Sequence, residues 1–73
     1  MHKHFLDIQH KYFIDIEKGI KNFEIRRTNR DYKVGDYLIL KSLKSKKTIT
    51  KKISYINDIS IYNIKNILIL QFK

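Results

Sequence analysis

Lys21, Glu24 and Arg26 stand within six residues of one another, in the stretch GIKNFEIR over positions 19–26. An arginine presents a planar fork that fits a phosphate or a base edge, and a lysine supplies a mobile point charge. A glutamate beside them can accept hydrogen bonds from an exocyclic amine or hold the arginine in place. The same set could do chemistry, with Glu24 as general base and Lys21 or Arg26 stabilising developing charge, as RNA cleavage requires. On spacing alone the plainer reading is an exposed Glu24–Arg26 ion pair on a strand, worth only about 0–1 kcal/mol.

Other residues extend the polar set. Arg27, Arg30, Lys51 and Lys52 are candidates for phosphate contacts that position RNA without reading its sequence, with solvated surface as the alternative for each. Tyr12, Tyr32, Tyr37 and Tyr55 are candidate stacking planes for an unpaired base. Tyr32 leads them because it lies in a polar loop beside Arg30. His2, His4 and His10 have no recognisable ligand spacing, and cysteine is absent, so neither a metal nor a cofactor is expected.

Positioning these groups falls to six short elements. Residues 4–8, HFLDI, read as a strand with Phe5 and Ile8 inward, and residues 10–18 as a helix whose Phe13, Ile16 and Ile20 share a face. Gly19 then stands where a left-handed C-terminal cap is wanted. From Asn22 the period changes to two, with Phe23 and Ile25 on the buried face and Glu24 and Arg26 opposite. Strict alternation would put Lys21 with Phe23 and Ile25. TNRDYKVGD, 28–36, is a loop built on Asn29, Asp31, Gly35 and Asp36. Strands at 37–43 and 48–56 form a hairpin around the basic loop 44–47, and 57–66 is a loop or a single helical turn. ILILQF, 67–72, is apolar on both faces and predicts a central or barrel-closing strand. The sum is an α+β fold, a small mixed barrel of about five strands with one helix covering an open end.

The chain has 73 residues, enough for a single domain spanning 1–73. Without cysteine it must hold together by packing and hydrogen bonds alone, which suits a reducing cytoplasm. No segment approaches the roughly 20 apolar residues that span a bilayer, so no membrane association is expected. The net charge of +9 attracts polyanions, which favours RNA, a nucleotide or an acidic protein as partner. Thirteen of the 16 basic residues are lysines, and much of that charge can be solvated surface. The open edges of so small a sheet are compatible with a monomer or a weak dimer.

GIKNFEIR also fits the pattern G-x-K-x-x-E-x-R, at Gly19, Lys21, Glu24 and Arg26, and in this the chain resembles the ASCH family of the PUA-like superfamily. An opening strand with a histidine, a helix containing YF that ends at the glycine, and RDYKVGDYLIL extend the similarity over residues 4–41. The resemblance implies a PUA-like pseudo-barrel with a cleft lined by the motif residues, binding RNA or nucleotides. It places Lys21 in that cleft, and His4 as the counterpart of the family histidine. Some small ASCH proteins hydrolyse the amide of N4-acetylcytidine with a lysine, a threonine nucleophile and a later glutamate. Here Lys21 matches, but Glu24 stands at the threonine position and is the last glutamate of the chain. A carboxylate cannot replace that hydroxyl without changing the mechanism. Binding therefore comes first, and hydrolysis of RNA or a modified nucleoside by Lys21 and Glu24 second. A mobile-element-encoded inhibitor that binds an acidic or RNA-binding partner is the third class.

Overall fold

The element order is β1 (Lys3–Ile8), α1 (His10–Glu17), β2 (Phe23–Arg27), β3 (Tyr37–Ser42), β4 (Thr48–Asp58), a 3-10 turn (Ile59–Tyr62) and β5 (Ile67–Phe72). The computed structural model describes every residue but Asn29 and every side chain but those of Asn29, Ser60 and Ile61, so the turn-forming role expected of Asn29 lies outside the described residues. The strands make one sheet in the order β1-β3-β4-β5-β2. β1 runs parallel to β3 and every other pair is antiparallel. β1 and β2 are the two edges, and the Arg26 guanidinium on β2 donates to the Asp7 carbonyl on β1 over 2.8 Å. The sheet is thus curled into a half-barrel, an α+β arrangement with one helix. No helix among the described residues is long and apolar enough to cross a membrane.

The core lies inside the curl, where Leu6 and Ile8 of β1, Leu38 and Leu40 of β3, Ile53 of β4 and Leu70 and Phe72 of β5 meet Phe13 and Ile16 of the helix. β5 is central, as its apolar run predicts. Two inward assignments are corrected. Phe5 is 67% exposed, because it shares a face of β1 with Asp7 while His4, Leu6 and Ile8 take the other. Ile20 is exposed because the helix has already ended before it.

That ending is a Schellman cap. Gly19 has φ +75°, its N–H donates to the Ile16 carbonyl at 3.1 Å, and the Ile20 N–H donates to the Asp15 carbonyl at 2.9 Å. The Lys21 N–H shares the Asp15 carbonyl at 3.1 Å, so the cap sets where Lys21 enters β2. A Cβ on Gly19 would meet open space, and the cost of substitution is therefore the left-handed backbone alone. Gly19→Ala is expected to destabilise the fold by about 1–2 kcal/mol in urea unfolding.

A second device ties the start of the chain to the turn before β3. Asp36 is buried, and its carboxylate accepts from His4 Nε2 at 2.9 Å, from the His2 N–H at 3.1 Å and from the Lys33 N–H at 3.1 Å. Because a carboxylate only accepts, the His4 proton in this contact sits on Nε2. The His4 hydrogen bond, with the two backbone donors, holds the Asp36 carboxyl down at about 2 against the ordinary 3.8, although burial pushes the other way. A depressed carboxyl stabilises the folded chain fully above its unfolded value and loses that contribution as pH falls through the folded one. Stability is expected to decline between about pH 4 and pH 2. In Asp36→Asn this part of the acid-dependent loss should vanish, read as the pH dependence of the urea midpoint.

Candidate functional site

Between the cap and the sheet, the motif residues converge. Glu24 is only 5% exposed, although it lies on an edge strand. Its Oε1 accepts from Lys21 Nζ at 3.0 Å and its Oε2 from Arg26 Nε at 3.1 Å. Lys21 Nζ also donates to the Phe23 carbonyl at 3.0 Å and stands 4.8 Å from the Tyr12 ring centre and 4.7 Å from that of Phe23. An ammonium held between two ring faces and a carboxylate is well fixed, each ring contributing about 0.5–1 kcal/mol.

The expected parity of β2 is inverted. β2 pairs with β5 so that Glu24 lies opposite Leu70 and Arg26 opposite Leu68, which puts both charged side chains on the core-facing side of the curl. Phe23 and Ile25 point outward, Ile25 being 55% exposed. Lys21 precedes the strand proper and swings onto the Glu24 side, so its alternation does not apply.

These groups form one wall of a hollow of about 450 Å³, a size in the range of small-molecule sites. Tyr12 and Gln9 of the helix region, Ile8 at the end of β1 and Leu43 after β3 form the others, and Asp7 borders it. Most of the exposed lining is apolar or aromatic, with the Lys21–Glu24–Arg26 triad, Gln9 and Asp7 as its polar part. Each oxygen of a carboxylate has two acceptor positions, so Glu24 keeps one on each oxygen after its two cations are satisfied.

The remaining candidates divide. Arg30 Nη1 donates to the Phe5 carbonyl at 3.0 Å, and Arg27 is exposed beside it. Tyr32 offers no open face for stacking: it is 7% exposed and its ring packs on His4 at 4.6 Å between centres. His4 is spent on Asp36 and does not line the cleft. Lys51 and Lys52 lie on β4, where Lys51 Nζ donates to the Lys73 carbonyl and Lys52 stands near the Tyr37 ring. Neither borders the hollow. Among the described residues no group of three or more His, Asp or Glu side chains is arranged to hold a metal.

The sequence reasoning missed Gln9, Ile8 and Leu43 as lining residues, and treated Tyr12 as one stacking candidate among four. Gln9 and Ile8 immediately precede the helix and carry no type signal. Their place follows only from the curl of the sheet, which brings the end of β1 beside the β2 edge.

A profile of the family described as a domain of unknown function, DUF3850, matches residues 3–72. The chain belongs to the DUF3850 family. That match covers both the β1 edge and the β2 edge, so the whole cleft lies within the family's domain. Among curated proteins no significant match was found.

Proposed function

We propose that this DUF3850 domain binds RNA or a nucleotide in the cleft around Lys21, Glu24 and Arg26, on a half-barrel of the ASCH and PUA-like kind. The observation that carries the reading is the buried Glu24 carboxylate, gripped by two cations in a hollow whose remaining lining is mainly apolar or aromatic. A nucleobase is flat and apolar on its faces and polar at its edge, which is the complement of such a lining. Tyr12 and Phe23 supply rings, Glu24 supplies acceptors for an exocyclic amine, and Lys21 and Arg26 supply positive charge for a carbonyl or a phosphate. Arg27 and Arg30 lie outside this cleft, around an adjoining hollow.

Binding is favoured over hydrolysis by how Glu24 is held. Its remaining acceptor positions suit a neutral N–H, whereas taking up a proton would cancel the charge that pairs with both Lys21 and Arg26.

The test is a titration of isotope-labelled protein with the four ribonucleosides, their 5′-monophosphates and a short single-stranded RNA, followed by amide and side-chain shifts. Shifts centred on Ile8, Tyr12, Phe23 and Glu24 are expected, and for RNA an affinity that falls steeply with added salt. Shifts scattered over the β4 lysines with none in the cleft would overturn the reading.

A further inference from the structure

A second hollow of about 300 Å³ adjoins the cleft, bordered by Leu6, Ile25, Arg26, Arg27, Arg30 and Tyr32. It shares Ile25 and Arg26 with the cleft wall, so the two are contiguous. Every arginine of the chain borders this one hollow, in a sequence that has 13 lysines and only three arginines. Lysine and arginine differ in what they recognise: the guanidinium fork matches the oxygens of a phosphate, where the ammonium is a point charge. Their convergence here is a use of that difference.

Of the three guanidiniums only Arg26 is in an ion pair among the described residues. Arg30 is held by a neutral main-chain acceptor, the Phe5 carbonyl at 3.0 Å. Arg26 reaches the Asp7 carbonyl at 2.8 Å and gives only its Nε to Glu24. The Arg27 guanidinium makes no hydrogen bond or ion pair with any described residue. Each guanidinium has five N–H donors, so most of the donors around the hollow remain for a guest. No carboxylate belongs to its described lining. The geometry departs from an ordinary solvated patch in that two of the three groups are anchored on the free edge of β1.

We infer that this hollow is a phosphoryl-binding site, and, resting on the function proposed above, that it takes the phosphate of the nucleotide whose base enters the cleft. Arg26 touches both compartments and so couples them. The phosphoryl group can belong to a mononucleotide, to a chain end or to an internal linkage, all of which offer the same anionic oxygens.

The experiment compares binding of inorganic phosphate, cytidine, uridine, adenosine and guanosine, and the four 5′-monophosphates, by calorimetry at low salt. Wild type is set beside Arg27→Ala, which breaks no internal bond, and Arg30→Lys, which keeps a donor for the Phe5 carbonyl. At least one monophosphate is expected to bind about 10-fold or more tighter than its nucleoside. That advantage should shrink about 10-fold in Arg27→Ala while nucleoside affinity stays unchanged. Nucleoside and monophosphate binding equally, or Arg27→Ala leaving the advantage intact, would overturn the phosphoryl site and leave the base cleft standing. Phosphate and all monophosphates binding alike, with no nucleoside bound and with sensitivity to Arg27→Ala, would support the phosphoryl site and overturn the base cleft. No binding of any probe would overturn both. A 5′-phosphorylated oligonucleotide set against its 5′-hydroxyl form identifies the source: tighter binding of the former marks a chain end, and equal, Arg27-dependent binding marks internal phosphates.

Discussion

Glu24→Ala is expected to destabilise the domain by roughly 2–4 kcal/mol. The size follows from what is left behind. Lys21 and Arg26 are both largely covered, and each loses a charge-assisted hydrogen bond of 3.0 Å or 3.1 Å and keeps only a main-chain carbonyl partner, that of Phe23 and of Asp7 respectively. Removing one member of a buried pair costs far more than the pair itself contributes, because the partner's desolvation is then uncompensated. Glu24→Gln should cost less, since its amide oxygen can still accept from Lys21, but its NH₂ would face the Arg26 Nε. Urea unfolding measures both. A loss below about 0.5 kcal/mol for the alanine variant would mean a solvent-screened surface pair, and the fixed polar floor of the cleft would go with it. Added salt separates the cases too, since a covered pair is weakly screened and an exposed one strongly.

The double variant Lys21→Ala with Arg26→Ala is expected to weaken RNA or nucleotide binding by about 100-fold or more, each lost charged donor being worth about 1.5–3 kcal/mol. Because Arg26 also ties β2 to the Asp7 carbonyl, the variant must be shown folded by circular dichroism before its affinity is read. Arg26→Lys keeps the charge and loses the two-pronged geometry, so it should fall between wild type and the double variant. Unchanged affinity in a folded double variant would move binding away from this edge of the sheet altogether.

How far the sequence foretells this arrangement depends on what kind of signal each part uses. The helix, its glycine stop and the central position of the last strand are legible because each rests on a local rule: a 3.6 period, a left-handed cap, apolar residues on both faces. The motif triad is legible as a cluster. Which face of β2 is covered is not, since alternation yields two faces and apolar side chains are assigned inward by default. Here the inner side of an edge strand looks into a hollow as well as onto the core, and the polar face wins that side. β1 did carry a usable clue: Asp7 shares parity with Phe5, and a lone carboxylate on that face marks it as outer. Tyr32 and Asp36 lie in a loop among polar chain neighbours, so nothing local announces their burial. Their burial comes from β1, more than twenty residues earlier, and only the parallel β1–β3 register brings it to them.

The placement of β5 between β4 and β2 has a bearing on the order of assembly. β2 carries Glu24 and Arg26 yet has no neighbour in the sheet except β5, the last strand in sequence. While the β3–β4 hairpin can zip locally, β2 must wait for a partner some forty residues downstream, a long loop to close before any ladder bond rewards it. The β2 edge should therefore be the last part of the molecule to form and the first to lose amide protection when the C-terminal strand loosens.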